Sequence, residues 1–159
     1  MIASLDLFEA HLTVADLHAA IDFYRDVVGL RVAHVTPDGD AAFMWIGAAG
    51  ESMLGLWAAG PAPLRLTSHA AFRVSAADVM TAPQVLLAAG VTPLDFSGRP
   101  TDAPVVLAWM PAAAVYFRDP DGNLLEFIAI LPDTPQPELG VLPWRMWDFI
   151  HQPAPEHAS

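Results

Sequence analysis

The amino-acid sequence predicts an α+β protein built from two βαβββ modules in tandem, and three observations carry that prediction. Glu9–Asp16 lies over His69–Ala76, Ala41–Trp45 over Ala113–Phe117, and Met53–Trp57 over Leu124–Ile128. A repeat of this length is a supersecondary unit used twice. Within each half, a strand-like stretch gives way to apolar residues at three- and four-residue spacing, the change of period that marks strand followed by helix. The two helical runs also stop at matching places, Gly29 and Gly90, where glycine suits a helix end.

Each element follows from local signals. Leu7–Val14 alternates as a strand, Asp16 is placed to cap a helix, and Leu17, Ile21, Tyr24 and Val28 give one apolar stripe over Leu17–Val28. Leu30–Val35 is a second strand, Pro37–Asp40 a turn, and Ala41–Ile46 and Ser52–Trp57 two more strands around a glycine-rich turn. The first module is thus 1–60, and a proline-bearing linker at 61–66 follows. The second module, 67–131, repeats the order. Thr67–Val74 is a strand and Ala77–Ala89 a helix, with Pro83 expected in an early turn or at a kink. Val91–Phe96, Val105–Trp109 and Ala113–Arg118 read as strands, Asp119–Gly122 as a turn, and Leu124–Leu131 as the last strand. Residues 132–159 form a proline-rich tail holding the aromatic segment Trp144–Ile150, placed as a surface strap or across a dimer partner, with the last nine residues frayed.

Composition excludes several classes. The 159 residues suit one domain or two fused half-domains, and 54% hydrophobic content with mean hydropathy +0.39 supplies a core. No apolar run reaches the ~18 residues of a membrane span, and no basic leader precedes an apolar stretch, so neither a membrane segment nor a signal peptide is expected. Net charge is −11, and all seven basic residues are arginine. Nucleic acid and anionic membrane are poor partners for such a chain, because phosphates need clustered cations. Without lysine or cysteine, Schiff-base, disulfide and thiolate chemistry are excluded, and a cytoplasmic location is the default expectation.

The polar residues inside apolar strands carry the functional reading. Strand alternation puts Glu9, His11 and Thr13 on one face, His69, Ala71 and Arg73 on one face, and Glu126 with Ile128 on another. The repeat makes Glu9 equivalent to His69 and Gly55 equivalent to Glu126, and pairing of the two half-open sheets is expected to bring these positions to one half-barrel cleft. Glu126 sits in Leu-Leu-Glu-Phe-Ile, where an unpaired buried carboxylate is costly. Carboxylate and imidazole donors together suit Mn, Fe, Co, Ni or Zn. Taken singly, each residue has a plainer reading, as a surface histidine or a glutamate on the outer face of an edge strand; their equivalent placement favours the metal.

Val14–Leu17 with Ile21–Leu30, Ser68–Val74 and Phe117–Glu126 together resemble the vicinal oxygen chelate superfamily, which includes glyoxalase I, fosfomycin resistance thiol transferases, extradiol dioxygenases and bleomycin-binding proteins. The resemblance spans residues 7–131. It implies a glyoxalase-like fold and metal-ligand positions 9, 55, 69 and 126. On that reading Glu9, His69 and Glu126 hold a divalent metal, while position 55, glutamate in glyoxalase I enzymes, is glycine. His11 is then an alternative ligand or a proton shuttle, and Glu9 or Glu126 moves between ligand and base, giving Glu126, Glu9 and His11 as catalytic candidates. The implied activity is metal-dependent chemistry on a small molecule chelated through two oxygens, of lyase, isomerase, thiol transferase or dioxygenase type, in a homodimer. The alternative is a metal-free small-molecule or drug-binding protein, its cleft lined by Phe43, Trp45, Trp57, Trp109 and Tyr116.

Overall fold

The computed structural model describes residues 7–58 and 68–151; the expected linker at 61–66 lies outside them, as do the last nine residues expected to fray, apart from His151, which closes a helix. The chain divides into two compact units, Met1–Ser68 with Arg118–Asn123, and His69–Phe117 with Leu124–Ser159.

In the first unit, β1 (Glu9–Val14) leads through the Asp16 cap into α1 (Leu17–Asp26), followed by β2 (Arg31–Val35), β3 (Ala41–Ile46) and β4 (Ser52–Ala58). The Asp16 carboxylate accepts from the Ala19 amide at 3.0 Å, satisfying one of the donors a helix start leaves open. Gly29 has φ +83°, a left-handed conformation that ends the helical run. The sheet order is β1-β4-β3-β2, with β1 parallel to β4. Leu12, Val14, Met44, Leu54 and Leu56 are buried with the α1 residues Leu17, Ala20 and Tyr24. The opposite face carries Glu9, His11, Phe43, Gly55 and Trp57.

The Asp119–Gly122 turn belongs to this unit. Asp119 is buried and accepts from the Tyr24 hydroxyl at 2.9 Å, the Asn123 side chain at 2.7 Å and the Asn123 amide at 2.8 Å. Asp121 accepts from the Ala15 amide at 2.8 Å. A turn in the second sequence repeat thus completes the first unit's polar interior. Burial, then the Asp119 carboxylate, pushes the Tyr24 phenol well above its usual range, so it stays a donor.

The second unit holds β5 (His69–Arg73), α2 (Ala76–Ala88), β6 (Val105–Leu107), β7 (Ala112–Arg118) and β8 (Leu124–Ile130). β5 is parallel to β8 in the order β5-β8-β7-β6-β9, where β9 is Val141–Pro143. Val79, Ala82 and Leu86 of α2 are buried, as are Phe72, Leu125 and Phe127 of the sheet, and the Phe117 and Phe127 rings stand 4.7 Å apart. Pro83 lies in the interior of α2 and is buried in the core, not in an early turn.

Two expectations change. Val91–Phe96 is not a strand: only Leu94 bridges, to Tyr116 and Pro100. The tail, in turn, supplies β9, antiparallel to β6 at the sheet edge, and then α3 (Trp144–His151). Trp147 is buried and its indole donates to Asp133 at 3.0 Å. The tail therefore covers an edge of its own sheet, and Pro143 is tolerated because β9 is itself the outer strand.

Candidate functional site

The cross-strand registers test the equivalences drawn from the repeat. In the first unit Glu9 pairs with Met53 and His11 with Gly55; in the second His69 pairs with Leu124 and Ala71 with Glu126. Glu9 and His69 therefore occupy one equivalent position, Gly55 and Glu126 another, and His11 and Ala71 a third.

Each unit forms one imidazole–carboxylate pair. In the second, His69 Nε2 lies 3.2 Å from Glu126 Oε2. His69 Nδ1 lies 3.1 Å from the Leu124 carbonyl oxygen. A carbonyl can only accept, so Nδ1 carries the proton and a neutral ring turns its Nε2 lone pair toward the carboxylate. Two acceptors face each other unless a proton or a cation stands between them. Glu126 is 5% exposed, and burial pushes its carboxyl above the usual range, opposed by His69 and the Tyr116 hydroxyl. The Tyr116 phenol is raised in turn by burial and by Glu126. Tyr116 enters as a partner of the carboxylate as well as an aromatic wall, a role that its place in an apolar strand does not advertise.

In the first unit, His11 Nε2 lies 2.9 Å from Glu9 Oε1. Phe43 and Trp57 flank the imidazole at ring-centre distances of 6.2 and 5.8 Å, and His34 stacks on Phe43 at 6.4 Å. The pair sits on an open aromatic face, with Trp57 40% exposed.

Among the described residues, Glu126 Oε1 is a buried side-chain oxygen without a hydrogen bond, whereas Glu9 Oε1 has His11 Nε2 at 2.9 Å. Leaving such an oxygen without a partner costs about 1–3 kcal/mol or more for a charged group. Metal bonds of about 2.1 Å to nitrogen and oxygen put neighbouring donors roughly 3 Å apart, the spacing within both pairs. The donor chemistry, the Glu126 oxygen without a hydrogen bond and a histidine whose second nitrogen is held by a carbonyl fit a divalent ion at the His69–Glu126 pair. Among the described residues no three His, Cys, Asp or Glu side chains stand together as a metal-holding group. Glu9 and His11 belong to the first unit, and His69 and Glu126 to the second. A separate cleft of about 140 Å³, lined by Asp95, Phe96, Arg99, Val105 and Leu142 in the second unit, contains neither pair.

A profile of the Glyoxalase/Bleomycin resistance protein/Dioxygenase superfamily matches residues 5–127. Among solved structures, an integron cassette protein from the mobile metagenome of the Halifax Harbour sewage outfall is 27% identical with a TM-score of 0.66, covering 79% of this chain and 98% of its own. A lactoylglutathione lyase from Agrobacterium tumefaciens is 26% identical with a TM-score of 0.58, covering 78% and 92%. TioX from a Micromonospora species, 19% identical with a TM-score of 0.61 and coverage of 79% and 99%, shares the fold. No curated protein sequence matches this chain.

Proposed function

The chain belongs to the Glyoxalase/Bleomycin resistance protein/Dioxygenase superfamily, and on that footing we propose that it is a metal-dependent enzyme acting on a small molecule through two neighbouring oxygens. Glu9, His69 and Glu126 are the proposed ligands of a divalent ion (Mn, Fe, Co, Ni or Zn), in a cytoplasmic homodimer. The observation that supports this most is the His69–Glu126 pair, in which His69 Nε2 and Glu126 Oε2 face each other at 3.2 Å beside a buried carboxylate oxygen without a hydrogen bond.

A bound divalent ion would act as a Lewis acid on the substrate oxygens. The chain's own groups handle the proton. Glu126 is the proposed acid–base group, because burial already favours its protonated form. His69 is fixed in one tautomer by the Leu124 carbonyl, which keeps its Nε2 turned to that carboxylate. His11, half exposed beside Glu9, is placed to pass a proton to solvent. The resemblance to a lactoylglutathione lyase puts a lyase or isomerase type ahead of thiol transfer and dioxygenation.

The second reading is metal-free binding of a small molecule. It draws on the aromatic face of the first sheet, where Phe43 and Trp57 meet edge to face at 6.3 Å and the chain's net charge of −11 suits a cationic ligand. Elemental analysis of protein purified without added metal separates the two. About one divalent ion per chain, lost in Glu126→Ala, is the expected result. If wild-type protein carries no metal and gains no thermal stability from added Mn, Ni or Zn, the enzyme reading is overturned in favour of binding.

A further inference from the structure

The cleft of about 140 Å³ in the second unit is built where the tail meets the loop that follows α2. Val141, Leu142 and Pro143 of β9 and Val105 of β6 line it with apolar surface, and Asp95, Phe96, Ser97 and Arg99 of the loop complete it. The loop is pinned from within. Asp95 Oδ1 accepts from the Ser97 amide at 2.8 Å and the Arg99 amide at 3.0 Å, and Oδ2 accepts from Arg99 Nε at 3.2 Å. Phe96, 59% exposed, is braced edge-on against Tyr116 at 6.1 Å. Asp95 is thus well supplied with donors, while the side-chain groups left open beside it are themselves donors. Among the described residues neither the Ser97 hydroxyl nor Arg99 Nη1 has a hydrogen-bond partner. A guanidinium only donates, and a hydroxyl rotates to do so. A cavity of roughly 150 Å³ holds a benzene molecule, so the cleft has room for one phenyl-sized group.

We propose that this cleft binds a small monocarboxylate with a compact aryl or branched aliphatic body. The body lies against Val105, Val141 and Pro143, and the carboxylate accepts from Arg99 and Ser97, in charge-assisted bonds about twice as strong as neutral ones. Asp95 holds the guanidinium in place without using all of its N–H groups, and it offsets part of the positive charge, so the affinity for a phenyl-sized ligand is about millimolar. The cleft contains neither imidazole–carboxylate pair, and the inference therefore does not depend on the metal-dependent reading. It also gives the tail a role beyond covering a sheet edge, because β9 supplies three of the residues that line the cleft.

The test is an amide NMR titration of the full chain with benzoate, repeated with benzyl alcohol, which lacks the charge, and with acetate, which lacks the apolar body. Benzoate is expected to give saturable shifts centred on the amides of 95–99 and 141–142, and the other two probes to bind at least about tenfold more weakly. Arg99→Gln is expected to weaken benzoate about tenfold. Ser97→Ala keeps every hydrogen bond that pins the loop, since the Ser97 amide and not its hydroxyl holds Asp95, and is expected to weaken benzoate about threefold. Val141→Trp, a substitution on the exposed outer strand, fills the cleft and is expected to abolish the shifts. Absence of saturable shifts at these amides, shifts centred on 69 and 126 instead, benzyl alcohol binding as tightly as benzoate, or wild-type affinity in Arg99→Gln or Val141→Trp overturns the inference.

Discussion

The two imidazole–carboxylate pairs are built from one plan with different materials. In the second unit the pair spans two strands, His69 on β5 and Glu126 on β8, and the carboxylate is nearly sealed from solvent. In the first, both members lie on β1 at alternate positions, Glu9 and His11, with side chains 32% and 49% exposed. The same sheet geometry thus yields a buried carboxylate on one side and an open, aromatic-flanked imidazole on the other. What differs is which strand carries the functional side chain at the cross-strand position, and in the first unit Gly55 leaves room for the imidazole opposite.

The largest expected effect separates the carboxylates. Glu126→Ala should abolish metal retention on gel filtration, while Glu9→Ala should weaken it by only about ten- to a hundredfold, since His11 remains. Equal losses would break the asymmetry between the pairs.

Next comes the Asp119 turn, which supports the first unit from the second sequence repeat. Asp119→Ala leaves the Tyr24 hydroxyl and the Asn123 amide groups without their acceptor and should cost roughly 3 kcal/mol in urea unfolding. Tyr24→Phe removes one of those donors and should cost about 1–2 kcal/mol. If both variants unfold at wild-type urea, the turn contributes nothing to the first unit's interior.

A pH prediction follows from the burial of Glu126. Its folded carboxyl titrates above the unfolded value, so the protonated form favours folding. The stability it contributes to metal-free protein is full below the unfolded value and is lost as pH rises through the folded one. Glu126→Gln, which keeps a neutral group there, should therefore raise the melting temperature at pH 7 and change it little at pH 4. A larger gain at pH 4 would reverse the assigned direction.

The smallest effect concerns Gly55, where an added Cβ would lie 2.5 Å from His11 Cδ2. His11 is half exposed and able to swing away, so Gly55→Ala should cost only about 1 kcal/mol of stability, and nothing in the His11→Ala background. A cost that persists in that background would place the strain in the sheet and not in the imidazole.

Much of the fold is legible in the sequence. The repeat placed Glu9 over His69 and Gly55 over Glu126, and the strand registers reproduce both equivalences, because side-chain alternation in a parallel pair leaves little freedom of register. The Asp16 cap and Gly29 stop are local signals and hold within two residues. Non-local features were not legible. Val91–Phe96 has strand-like residues but gains only a bridge at Leu94, while Val141–Pro143, short and proline-flanked, becomes a strand because β6 offers it an edge. The pairing of His11 with Glu9, and its seat on Gly55, depend on side-chain packing across two strands that spacing alone does not reveal. Among the described residues no helix is long and apolar enough to cross a membrane, as the hydropathy pattern predicts.

The central proposal is that the His69–Glu126 pair holds a divalent ion. X-ray absorption of the Ni²⁺-loaded chain counts its imidazole ligands directly. An imidazole ligand in wild type that is lost in His69→Ala is the predicted result; an imidazole count unchanged by that substitution would contradict it.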